Sequence, residues 1–132
     1  MTQDDIDYIR EWLRKADDDI IIAGRAIDFP PVILDIACFH CQQAVEKYLK
    51  AFLLYQRQRI KKTHFVSYLQ VKCAEVDKEF AKIDLKKLDD FAVDIRYPDD
   101  AIAPTLEESK EYLQTAEAIK ELVRSKIIFD SK

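Results

Sequence analysis

His64 stands five residues after Arg59 and seven after Arg57, in the run Arg57-Gln-Arg-Ile-Lys-Lys-Thr-His64. Imidazole exchanges protons near neutral pH, and a guanidinium stabilises the charge of a phosphorane. Together they are a minimal kit for cutting RNA without a metal, with the ribose 2′-hydroxyl as internal nucleophile. The same run also reads as a plain basic loop. Arg57, Arg59, Lys61 and Lys62 would then meet an acidic neighbour, and His64 would pack or cap the start of a helix.

A second group lies upstream. His40, Gln43, Glu46, Lys47 and Lys50 recur at spacings of three and four, which places them on one side of a helix. They form either a solvated strip with a Glu46–Lys50 ion pair, or a strip that meets a ligand or an interface. Cys38, Cys41, His64 and Cys73 together suggest zinc, which wants four thiolate or imidazole ligands in a tetrahedron. No second closely spaced pair of ligands exists, and cysteines inside an apolar helix are small buried fillers. No metal site is therefore expected, and no cofactor. Arg96, at the end of a helical stretch, suits the helix macrodipole and can pair with Asp99 or Asp100. No G-x-S or H-E-x-x-H arrangement occurs, so no hydrolase motif is assigned.

The elements that carry these residues read as helices. The first runs from about Asp4 to Ile27, opened by Thr2 with Asp5 three residues on. Ile6, Ile9, Leu13, Ala16, Ile20, Ala23 and Ile27 make one apolar face. Pro30-Pro31 ends it. The second runs from about Val32 to Gln56, and its broad apolar arc predicts a central helix packed on several sides. Thr63 caps a shorter helix carrying Phe65, Leu69 and Cys73. A fourth starts at Asp84, with Leu85, Leu88, Phe91, Ala92 and Ile95 inward, and stops at Tyr97-Pro98. Thr105 with Glu108 forms a capping box before the last helix, which buries Leu113, Ala116, Ile119, Leu122 or Val123, and Ile127. The expectation is an all-α, up-and-down bundle of about five helices in a single domain over residues 1–132.

Composition narrows the function. One glycine in 132 residues leaves no material for a P-loop or a Rossmann fingerprint and little for β-hairpins. The formal net charge is −4, so no global basic field recruits nucleic acid, and any RNA or nucleotide contact must use a local patch. The opening residues are acidic and polar, and no apolar run is long enough to cross a membrane. With three cysteines read as thiols, a reducing, cytoplasmic setting is expected. Tyr8, Trp12, Phe39 and Tyr55 would suit a symmetric helix–helix contact, or the core.

Ala37-Cys-Phe-His-Cys-Gln-Gln-Ala-Val-Glu-Lys-Tyr-Leu-Lys50-Ala-Phe, then Lys62-Thr-His64, then Ile95-Arg-Tyr-Pro-Asp99, resembles the HEPN domain in order and spacing over nearly the whole chain. The resemblance implies a helical bundle, a homodimer, and a partnership with a separate minimal nucleotidyltransferase, often as a toxin–antitoxin couple. It implies nucleotide or RNA contact by His40, Gln43, Glu46, Lys47, Lys50, His64, Arg96, Tyr97 and Asp99. One branch of the family consists of metal-independent ribonucleases with an Arg-x4-6-His motif. Arg57 and Arg59 meet that spacing to His64, but in the catalytic branch the motif lies later in the bundle. The reading is therefore a binding module, inactive by itself, with a toxin-like ribonuclease using His64 and Arg57 or Arg59 as the alternative.

Overall fold

The computed structural model describes residues 1–93 and 103–129; Arg96, Tyr97 and Asp99 lie outside them. Within these residues the chain forms four α-helices and no strand: α1 (Gln3–Asp28), α2 (Leu34–Tyr55), α3 (Val66–Val76) and α4 (Leu106–Lys126). Two 3-10 turns, Lys78–Lys82 and Leu88–Phe91, lie between α3 and α4. The all-α bundle expected from the sequence is the fold observed.

Both long outer helices start as their sequences require. Thr2 Oγ1 accepts from Asp5 N at 3.1 Å while Asp5 accepts from Thr2 N at 2.9 Å, and Thr105 with Glu108 repeats the arrangement at 3.0 and 2.9 Å. These reciprocal bonds satisfy donors that a helix start leaves without partners. They also hold the Asp5 and Glu108 carboxyls below their ordinary pKa, because each accepts a backbone N–H from its threonine. Helix α1 ends where Phe29 turns extended, ahead of the cis Pro30–Pro31 peptide. Ile33 N then donates to Ala26 O at 2.9 Å, which folds the start of α2 back against the end of α1.

Helix α2 is the centre of the bundle. It packs against α1, α3, α4 and the second 3-10 turn, so residues all round it are buried. Tyr48, Leu49 and Phe52 are at most 1% exposed, and the Phe52 ring lies 4.4 Å from that of Phe80. Burying each such side chain contributes roughly 1.5–3 kcal/mol. No helix of the described residues is long and apolar enough to cross a membrane.

Helix α2 ends in a Schellman motif: Arg57 N donates to Leu54 O and Gln58 N to Leu53 O, both at 2.9 Å. Such a motif needs one left-handed residue, usually glycine. Here it is Arg57, at φ 58°.

Some local expectations are corrected. The stretch from Asp84 does not form a fourth α-helix in its described part. Asp84 Oδ1 accepts from Lys86 N at 2.8 Å and Lys86 takes φ 53°, so the chain turns instead. Asp89 is then drawn to α3, where its carboxylate accepts from Val66 N at 2.6 Å and from the Ser67 hydroxyl. That carboxylate, from 23 residues downstream, caps α3. Thr63 does not: its hydroxyl accepts only from Phe65 N, and Phe65 is exposed at the helix boundary. Val32 and Ile33 are exposed ahead of α2. On α4 the buried position is Tyr112, with Leu113 packed partly against the core. On α1, Ile6 and Ile20 are only partly buried, and the side chain that enters the core between Ala16 and Ala23 is Asp19.

Candidate functional site

The polar residues of α2 are divided between two buried carboxylates. Glu46, with a side chain 6% exposed, sits on the side facing the loop before α3. Its Oε2 accepts from Lys50 Nζ at 3.0 Å, and its Oε1 lies 3.1 Å from His64 Nδ1 and 3.4 Å from Gln42 Nε2. Gln42 Nε2 also donates to His64 O at 2.6 Å, and Gln43 donates to Gln42 Oε1. The loop is thus tied to α2 through both the backbone and the side chain of His64. Because a carboxylate accepts, the His64 tautomer that fits carries its proton on Nδ1. In the neutral ring Nε2 is then the nitrogen left to accept, on a side chain that is 69% exposed.

Asp19, contributed by α1, is the second carboxylate. It accepts from His40 Nδ1 at 2.8 Å and from Lys47 Nζ. Sequence reasoning missed Asp19, although its spacing of three from Ala16 and four from Ala23 puts it on the buried face of α1. Neighbouring Asp17 receives the Tyr48 phenol and Arg124 of α4. Burial, and then the Asp17 acceptor, push the Tyr48 pKa up, so that phenol stays protonated and structural.

Between α1, α2 and the loop lies a cleft of about 650 Å³, within the ~300–1,000 Å³ typical of small-ligand sites. Its walls carry Tyr8 and Trp12 from α1, Glu46, Lys47 and Lys50 from α2, and Ile60 to His64 from the loop. Lys50 Nζ lies 5.6 Å from the centre of the Trp12 ring. Lys47 and Lys50 have carboxylate partners, whereas Lys61 and Lys62 have none among the described residues. Lys61 stands over Tyr68. A chain of net charge −4 therefore presents one cleft with surplus cations beside aromatic rings, which is the chemistry of an anion carrying a flat ring.

Of the residues singled out from sequence, the structure brings Glu46, Lys50 and His64 together, with Gln43 joined through Gln42, and sets His40 with Lys47 on Asp19. Arg57 lines a separate depression with Thr2 and Asp5. Neither Arg57 nor Arg59 lines the cleft or hydrogen-bonds to His64. Cys38, Cys41 and Cys73 are all buried thiols, whereas His64 is exposed. Among the described residues no group of three or more His, Cys, Asp or Glu is arranged to hold a metal. Burial pushes the Cys73 pKa up to about 12 and that of Cys41 upward as well, which removes the thiolate needed for nucleophilic or ligand chemistry.

The family model described as HEPN domain matches residues 9–126. The chain belongs to the HEPN family. No curated protein and no solved structure matches it. In this HEPN domain the cleft lies where the helix pair α1–α2 meets the loop holding Lys62-Thr63-His64, so two of the three resembling segments share one site.

Proposed function

We propose that this chain is a single-domain, nucleotide- or RNA-binding HEPN protein, acting as a homodimer beside a minimal nucleotidyltransferase in a toxin–antitoxin couple. The observation that carries the binding half is the cleft, where Lys61 and Lys62 stand without carboxylate partners next to Trp12 and His64. The partnership and the dimer rest on family membership. Binding is tested by thermal shift with AMP and ATP on wild type and on Lys61→Glu/Lys62→Glu. Stabilisation by nucleotide that disappears in the charge-reversed variant supports the reading. No shift with any nucleotide, together with no complex formed with a minimal nucleotidyltransferase, removes it.

A metal-independent endoribonuclease is the second reading, favoured by one observation. His64 lines the cleft and is held by Glu46 through Nδ1, so that Nε2 of the neutral ring would be available as a general base. Incubation with RNA in chelator decides it. Cleavage lost in His64→Ala supports the enzyme, and equal activity in that variant ends the assignment. Arg57→Gly and Arg59→Ala, assayed in parallel, test whether either arginine takes part.

A further inference from the structure

The cleft does not end at its own walls. Tyr8 also lines a depression of about 470 Å³ beside Arg57, and, with Trp12, another of about 300 Å³ that reaches Lys15. The three adjoin at the Tyr8 ring and follow one another along the amino-terminal half of α1, a trough of neighbouring depressions. Tyr8 and Trp12 stand edge to face, with centroids 6.2 Å apart and planes at 82°, and Tyr8 is 57% exposed. The two rings therefore offer faces pointing different ways instead of enclosing one guest between them.

The charges follow the same axis. Arg57 lines the depression beside the first turns of α1, Lys61 and Lys62 line the cleft, and Lys15 lines the depression beside Glu11 and Trp12. Of the acids on the walls, Glu11 is paired with Arg14 and Glu46 with Lys50, whereas Asp5, bonded to Thr2 in the capping box, keeps its charge near Arg57. Cations spaced along an open channel suit several phosphates in succession, not the clustered phosphates of one nucleotide. Successive aromatic platforms beside a positive track are how single strands are held.

We propose that this trough binds a single-stranded oligonucleotide, with bases stacked on Tyr8 and Trp12 and phosphates carried past Lys61 and Lys62. The proposal rests on the nucleotide- or RNA-binding reading above and extends it from one nucleotide to a strand. Tyr8 and Trp12 become recognition residues, and the single strand becomes the ligand class.

Trp12 is the only tryptophan of the chain, so its emission reports stacking directly. The full-length protein is titrated with a 2′-O-methyl uridylate 12-mer, which lacks the hydroxyl that any cleavage would need. AMP, inorganic polyphosphate and a blunt RNA duplex serve as comparators. The 12-mer is expected to quench Trp12 and to bind at least ~10-fold more tightly than AMP, with polyphosphate giving no quenching. Tyr8→Ala should weaken the 12-mer by roughly 10-fold, since stacking on one ring carries ~5- to 150-fold in affinity. Tyr8→Phe should restore it. Removing Lys61 and Lys62 should flatten the dependence of log Kd on log salt by about 1.4, at ~0.7 for each phosphate that is no longer neutralised.

AMP binding as tightly as the 12-mer would overturn the strand proposal and leave the mononucleotide reading standing. A duplex binding as well as the single strand, or an unchanged Kd in Tyr8→Ala, would overturn it in favour of simple charge attraction. Failure of every probe to bind would overturn both readings.

Discussion

Glu46→Ala should be among the most destabilising polar substitutions in the bundle, more so than its one-residue size suggests. The carboxylate is 6% exposed and has three donors around it, while its partner Lys50 is 10% exposed. Removing Glu46 leaves an ammonium in a nearly buried position, beside the Trp12 ring and without its carboxylate. Breaking a buried pair from one side costs ~3–5 kcal/mol. Lys50 also lines the cleft and can swing its head toward water, so the lower end, about 3 kcal/mol, applies. At this chain length that lowers Tm by roughly 10 °C. Lys50→Met should cost less, about 1–2 kcal/mol, because Glu46 keeps Gln42 and His64 as donors. Glu46→Leu/Lys50→Met should recover to within about 1 kcal/mol of wild type, since neither charge is then stranded. His64→Ala should cost under about 1 kcal/mol, its side chain being 69% exposed. Urea unfolding of the four variants measures all of this. Glu46→Ala within about 0.5 kcal/mol of wild type, or a double variant no better than Glu46→Ala, would refute the claim that the carboxylate holds the site together.

Arg57→Gly should raise stability by about 0.5–1 kcal/mol: glycine removes the ~1–2 kcal/mol left-handed penalty at φ 58° but adds ~0.5–1 kcal/mol of unfolded-state entropy. A loss in urea unfolding would mean that the arginine side chain makes an interaction outweighing that strain. Asp89→Ala should cost about 1–2 kcal/mol by uncapping α3, and amide exchange at Val66 and Ser67 should rise ahead of the rest of the bundle; uniform exchange would refute the capping role. Glu108 has a folded pKa below its ordinary value, so its contribution is present above that ordinary value, about 4.3, and lost as pH falls through the folded one. Glu108→Gln should therefore be less stable than wild type at pH 7 and converge with it toward pH 2, and a constant difference across that range would count against the capping box.

Strong local signals survive into the structure, and weak ones yield to long-range contacts. Both capping boxes are legible because every participant lies within four residues. So is the buried breadth of α2, because ten apolar residues on a broad arc have no alternative but the centre. The stretch from Asp84 departs from its helical spacing for a physical reason. The register of Leu85, Leu88 and Phe91 competes with an Asx turn at Asp84 and with the demand of α3 for Asp89, and the second of these cannot be seen from neighbouring residues. Phe65 reads as part of the helix that Thr63 would cap, but it falls one residue ahead of that helix and is exposed.

The candidate site shows the same division at the level of chemistry. His40, Gln43, Glu46, Lys47 and Lys50 look like one stripe because helical spacing is all the sequence displays. The structure divides them, because each basic side chain goes to a buried acid: Lys47 and His40 to Asp19 on the neighbouring helix, Lys50 to Glu46 on their own. Two acids thus neutralise the lysines of α2 in place, and the surplus positive charge moves to Lys61 and Lys62 on the loop. That loop is itself held by Glu46 and Gln42 through His64. On the proposed binding reading, a phosphate at the cleft would meet the loop cations, with α2 as the wall behind them. Glu46 joins the two functions: it keeps Lys50 folded in and keeps His64, with the two lysines beside it, facing the groove.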